Sequence, residues 1–597
     1  MSKRTRWWVA AAAALLTACG GGGSDGNGSG PAPPTATPPP AAPPPPPPAA
    51  VSKADAYRFL NQATFGATEA EATRLIALGD SSNAYSRWLD AELAKPASRL
   101  LPYVEQGYAT LSQNQNFNIG QVNAPRVEKW FENALIGDDQ LRQRVAFALS
   151  QIFVVSQIGA LQNLPFATAD FYDMLTRDAF GDFRQLLEDV TLHPAMGVYL
   201  SMLGNQRAIA GTNLRPDENY ARELMQLFAI GLVELNLDGS VRTDAQGQPL
   251  PTYDQEVIEG FARVFTGWRW DCPTNVPNCT FNNARAQITP VAGYNQIKPM
   301  RLYSAQHETG TKRVLTYPGV ALPNATIPAN QTGEQDLRDA LDNIFNHPTV
   351  APFIARQLIQ KLVTSNPSPA YVQRVATRFN NDGTGRRGNL AAVVYAVLLD
   401  TEARGAPAAA TAGKVKEPLL RLTQFWRAYN ARSASGVFAT QAPNFAGGVS
   451  AVFGQGPSQS PSVFNFFSPF YAPPGEISNQ NLVAPELQLA TEFLNTQVTN
   501  FFWRQALLYT TRQANLNPNQ MFIDTAQELA VVADSAALVD RVAERLLGGA
   551  GQMSATLRTE ARAQVDRTPS STAGNVNTRI ADAVYFVVTS PEFVLQR

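Results

Sequence analysis

The chain has 597 residues, 44% hydrophobic and 16% charged, with a formal net charge of −1. That is ordinary globular composition, long enough to bury a large core. It lacks the strong positive field that attracts nucleic acid, and its basic clusters are no larger than pairs such as Arg386-Arg387, so no nucleic-acid partner is expected.

The chain opens on a localisation signal. Lys3, Arg4 and Arg6 precede an apolar run from Trp7 to Leu16 that is too short to span a bilayer, and Leu16-Thr17-Ala18-Cys19 closes it. This pattern predicts a lipoprotein signal peptide over residues 1–18, with Cys19 lipidated (palmitate-type acylation) as the new N-terminus. Residues 19–52 are Gly-rich and then Pro-rich, a composition that buries no core, which predicts a disordered tether. The membrane is then a partner through the anchor, because several acyl chains on one terminus hold stably. By resemblance to known bacterial lipoproteins, Gly20 in place of Asp predicts the outer membrane.

Beyond the tether, apolar residues recur at helical spacing. Val127 to Gln157 reads as a pair of helices, and similar patterns occupy Asp170–Thr191, Glu218–Leu232, Asp254–Phe265 and Glu334–Leu362. Further ones cover Tyr371–Phe379, Leu390–Leu399, Glu417–Tyr429, Ala484–Leu507, Thr525–Leu547 and Asn577–Thr589. The pair Asp238-Gly239 between Val233–Leu237 and Ser240–Thr243 predicts a small β-hairpin. Trp268 to Tyr317 is irregular, with room for one or two more strand pairs. The fold class is mainly α: a large multi-helix domain with a small β-hairpin and an irregular, loop-rich insertion at about 233–330.

The densest polar constellation runs from Pro216 to Phe228. Glu218 and Arg222 stand four apart, as do Asn219 and Glu223, so each pair shares a helical face. Glu218, Arg222 and Glu223 are candidates for acid/base catalysis, and Asn219, Glu223 and Asp254 for holding a hard cation. A buried ion-pair network that locks the helix serves equally well, and an N-cap role is enough for Asp254. With Cys19 acylated, Cys272 and Cys279 remain, close enough in an oxidising compartment for a disulfide and too few for a zinc site. No cofactor is identifiable.

Several strings resemble the bacterial family called domain of unknown function 1800. They include Glu218-Asn-Tyr-Ala-Arg-Glu-Leu224, Phe265-Thr-Gly-Trp268, His307-Glu-Thr-Gly310, the run from Phe345 to Leu358, and Ser462-Val-Phe-Asn-Phe-Phe-Ser-Pro469. Arg58-Phe-Leu-Asn-Gln-Ala-Thr-Phe-Gly66 is similar to the family's opening and Ser590-Pro-Glu-Phe593 to its close. The resemblance implies one long domain over 53–597. It implies no activity, and its one hint of a partner is an exported protein similar to sulfatases and phosphatases.

Three histidines stand in the chain. His193 and His347 fit local hydrogen-bonding and capping roles, while His307 is the candidate general base or metal ligand if the fold brings it to the Glu218–Glu223 helix. Gly383-Thr-Gly-Arg-Arg-Gly388 matches a dinucleotide-loop pattern by letter, but no strand precedes it. The aromatic run Phe464 to Pro474 either stacks on sugar rings or polysaccharide or is buried as a clamp across the helices. Three functions remain open. In order they are a surface- or periplasm-facing binding or assembly protein acting with an exported partner, a metal-assisted or acid/base hydrolase centred on Glu218, Glu223, Asp254 and His307, and a purely structural envelope lipoprotein.

Overall fold

The computed structural model describes residues 49–273, 276–405, 412–440, 444–512 and 517–597, so the expected signal peptide, Cys19 and the tether up to residue 48 lie outside the described residues. The ordered body begins earlier than position 53. Ala50 bridges Asp80, Val51 is buried, and Ser52 caps the first helix by accepting from the Asp55 amide at 3.0 Å.

Among the described residues there are 25 α-helices and three two-stranded antiparallel sheets, and the fold is mainly α. Helix starts follow side-chain chemistry. Thr332, Ser368, Asn389, Thr491, Ser554, Thr572 and Ser590 each sit just outside a helix and accept one of its unpaired amides. The predicted pair over Val127–Gln157 is Asn123–Ile136 and Gln140–Ser150, and the span Glu334–Leu362 is Gly333–Phe345 followed by Val350–Leu362. The helix expected over Glu218–Leu232 starts at Asn219, where the Asp217 carboxylate receives the Asn219 amide at 2.8 Å. The hairpin at Asp238-Gly239 forms, with Leu235 opposite Val241 and Gly239 at a φ of 79°, and a second turn pairs Thr243 with Pro249. In the irregular region Trp268–Arg269 pairs with Arg301–Leu302, and Lys312–Arg313 with Thr326–Ile327.

The expected Cys272–Cys279 disulfide is not formed. Both are free thiols, each facing the Tyr303 hydroxyl at 3.6 and 3.5 Å, and Arg301 Nη1 donates to Cys272 Sγ at 3.0 Å. Among the described residues no helix is long and apolar enough to cross a membrane.

The core is continuous and rich in rings. Trp130 meets Phe65, Phe131 and Phe147, while Trp426 joins Phe131, Phe445 and Phe501. Burying each such ring is worth about 1.5–3 kcal/mol, with a further ~1 kcal/mol from edge-to-face geometry. The last segment of the chain closes this core. Leu595–Gln596 pairs with Lys414–Val415, and Gln596 Nε2 donates to the Leu362 and Val363 carbonyls at 2.7 and 3.2 Å. Beside it, buried Lys416 donates from Nζ to Gln424 Oε1 at 2.7 Å and to the Phe593 carbonyl at 2.6 Å.

Burial, with a smaller push from Arg421, holds the Lys416 ammonium down to about 7. Unfolded, it titrates near about 10.4. A depressed folded value means that its contribution to stability is complete above the unfolded pKa and is lost as pH falls through about 7. Wild type should therefore gain stability relative to Lys416→Met between pH 7 and 9.5, by up to about 3 kcal/mol. Urea midpoints of both proteins at the two pH values check this, and a constant difference would show that Lys416 is not desolvated.

Candidate functional site

The sequence-predicted constellation does not gather in one cleft. Glu218 binds Arg222 at 3.0 Å and accepts from Gln255 Nε2 at 3.0 Å. Asp254 caps its helix by taking the Val257 amide at 3.0 Å, and its other oxygen pairs with Arg313 at 3.2 Å. Asn219 is exposed while Glu223 is buried, so the two do not share an environment. His307 is enclosed elsewhere. Its Nδ1 lies 2.9 Å from the Thr266 carbonyl and its Nε2 2.8 Å from Asp336, which also binds buried Lys312 at 2.6 Å. Burial would raise the Asp336 carboxyl, but His307 and Lys312 outweigh it and hold it low. Both ring nitrogens of His307 are thus engaged, and the strings Phe265–Trp268 and His307–Gly310 lock together. Gly267, at a φ of 86°, belongs to this lock, since a Cβ there would meet the His307 amide at 3.0 Å.

Glu223 is the exception in the constellation. Its Oε2 is buried without a hydrogen-bond partner, as is the hydroxyl of nearby Tyr253. Burial raises the Glu223 carboxyl, with Arg222 opposing. Among the described residues, no group of three or more His, Cys, Asp or Glu is placed to hold a metal ion.

A different part of the molecule holds a cavity of about 490 Å³, within the range of ligand pockets. One wall is the helix Val350–Leu362. Its Ile354, Leu358, Ile359 and Leu362 enter the core, while Phe353, Arg356, Gln357 and Gln360, spaced at three and four, face the cavity with Lys361. A second wall comes from Leu224–Ala229, a widened turn in which the Ile230 amide reaches back five residues to the Met225 carbonyl at 2.9 Å. Such turns often occur at functional sites. Gly231 follows at a φ of 74°, where a Cβ would stand 3.0 Å from the Phe353 ring. The third wall is the aromatic run. Phe467 is buried, whereas Phe464 and Phe470 are 57% and 61% exposed at the mouth beside Leu232. The burial reading of that run holds for Phe467, while Phe464 and Phe470 stay in solvent.

Gln151, at the end of the helix Gln140–Ser150, forms part of the floor. Its Oε1 accepts from Lys361 Nζ at 2.9 Å and Asn465 Nδ2 at 3.2 Å, and its Nε2 donates to Glu417 Oε2 at 2.9 Å. Glu417 lies 3.7 Å from Lys414, which binds Glu486 at 3.0 Å and donates to the carbonyls of Gln360 and Lys361. Fully buried Arg144 donates to the Lys361 carbonyl at 2.6 Å. Burial would raise the Glu417 carboxyl, but Lys414, Lys361 and Arg144 outweigh it and hold it low. Burial pushes the Lys361 ammonium down to about 8, against the pull of Glu417.

Sequence reasoning did not single out Gln151, Arg356, Gln357 or Lys361. The available signal was a set of polar residues at positions 356, 357, 360 and 361 of an otherwise apolar helix. A second cavity, of about 460 Å³, lies between the first helix and the chain's last residues. Several of its charges are engaged, Asp55 with Arg58 at 2.8 Å and Lys416 with the Phe593 carbonyl.

A family profile described as "Protein of unknown function (DUF1800)" matches residues 58–595. No curated protein and no solved structure matches the chain. Two of the strings that carry the family resemblance, Phe345–Leu358 and Ser462–Pro469, supply most of two walls of the larger cavity.

Proposed function

We propose, on the premise that the chain belongs to the DUF1800 family of proteins of unknown function, that it is an envelope lipoprotein which binds a ligand in its aromatic cavity and acts with an exported partner. The carrying observation is the 490 Å³ apolar recess with two phenylalanines left in solvent at its mouth. Exposing such rings is unfavourable unless something covers them in use. The lipoprotein part of the reading rests on Lys3 to Cys19 and on the Gly- and Pro-rich stretch after it. The lipid anchor would lie in the outer membrane. The partner is proposed as a sulfatase- or phosphatase-like exported protein, on family resemblance alone.

The neutral fluorophore N-phenyl-1-naphthylamine should bind the full chain. Phe464→Ala with Phe470→Ala should weaken it by about tenfold, since two large rings leave the contact. Unchanged affinity in the double variant would remove the cavity from the reading. Labelled palmitate should enter the wild type in cells and be absent from Cys19→Ala; equal labelling would sink the anchor.

A second reading, a metal-assisted or acid/base hydrolase, draws on one observation, the unpartnered buried oxygens of Glu223 and Tyr253. On that reading, chelator-free protein carries stoichiometric metal that Glu223→Ala loses. Metal-free wild type with a merely less stable variant returns Glu223 to helix locking.

A further inference from the structure

We infer that the ligand of the aromatic cavity is an amphipathic anion, with an apolar tail against the mouth and a single anionic head received by Arg356, Gln357 and Lys361. This rests on the reading of the cavity as a binding site and adds the chemistry of its occupant.

The first argument is charge. Arg356 and Lys361 line the cavity, and among the described residues no aspartate or glutamate does. Elsewhere some buried arginines are matched by acids, Arg427 by Glu71 at 2.7 Å and Arg545 by Glu528 at 2.8 Å, while others are held by neutral oxygens, as Arg126 is by the Pro457 carbonyl and Gln157. Among the described residues no acid pairs with Arg356, whose guanidinium lies over the face of Phe470, 5.4 Å from the ring centre. A guanidinium left unpaired in an apolar recess is a standing site for a carboxylate or phosphate, which it meets in a two-pronged geometry.

The second argument is unmet hydrogen-bonding capacity. Gln357 Nε2 is buried in the lining without a partner, and an orphaned donor carries a desolvation cost that an incoming oxygen would remove. Lys361, only 4% exposed, donates to Gln151 and lies over the Phe467 ring at 4.4 Å. An ammonium has three protons to give. Arg356 and Gln360 stand four apart on the helix, as do Gln357 and Lys361, so two rows of donors rise along one face toward the floor.

The third argument is shape. Leu232 and Val241 stand with Phe464 and Phe470 around the recess, and all four are exposed apolar side chains with no polar group of their own to offer. Their contribution is area, which a tail supplies and a small inorganic anion does not. The shared chemistry is therefore a hydrocarbon or aromatic tail carrying one negative head, and carboxylate and phosphate heads are separate arms of the test.

The test is displacement of N-phenyl-1-naphthylamine from the full chain by dodecanoate, dodecyl phosphate, dodecanol and dodecyltrimethylammonium. At least one of the two anions should compete about 10- to 100-fold better than dodecanol, the range of a charge-assisted hydrogen bond or two, and the cation should be the weakest. Arg356→Met replaces a half-buried side chain and should erase most of the anion's advantage over dodecanol. Lys361→Met should do the same where it folds. Dodecanol equal to both anions would overturn the anionic head and leave the cavity as an apolar binding site. Probe binding that none of the four amphiphiles displaces would overturn both readings together.

Discussion

Five charged side chains, Arg144, Lys361, Lys414, Glu417 and Glu486, meet where water does not reach, and the arrangement of the helices depends on their meeting correctly. Taking each from water costs several kcal/mol, and only mutual pairing plus hydrogen bonds returns it. Here the return is distributed. Lys414 spends its protons on two backbone carbonyls and on Glu486, Gln455 and Gln151 attend Glu417, and Arg144 reaches the Lys361 carbonyl. Removing one member of such a set leaves its partners buried and uncompensated, typically at 3–5 kcal/mol. The cluster therefore specifies how distant segments assemble more than it adds net stability. It also places a cation at the floor of an apolar cavity, a position that no hydrophobic packing would select.

Much of the architecture was legible in the sequence because helix signals are local. An N-cap such as Asn389 and the apolar run after it define Leu390–Leu399 without reference to anything else. The helices Lys53–Ala63, Glu69–Ala77 and Ala555–Asp566 were not foreseen, since each is short and shows only a narrow apolar stripe, as in Glu69-Ala-Glu-Ala-Thr-Arg. The site was far less legible. Lys361 and Gln151 are 210 positions apart and each reads as the polar face of an amphipathic helix. Which polar faces point to water and which to one another is decided by packing, and spacing along the chain carries no record of it.

The conspicuous constellation around Glu218 and His307 illustrates the converse. Its residues are dense in charge because two segments have to be tied to their neighbours. Glu218 is bound to Arg222 and Gln255, and Asp254 to its own helix and Arg313. His307 fastens the Thr266 turn to the helix Gly333–Phe345 through Asp336. Glu223 and Tyr253 apart, that cluster satisfies itself, whereas the cavity lining is sparse in polar groups and leaves Gln357 unsatisfied.

The pairing of Lys414–Val415 with Leu595–Gln596 sets an order of events. The carbonyls that end the helix Val350–Leu362 are capped by Gln596, 234 positions downstream of Leu362. During synthesis the wall of the cavity must wait, incompletely capped, until that segment has emerged, and contacts over such separations form late.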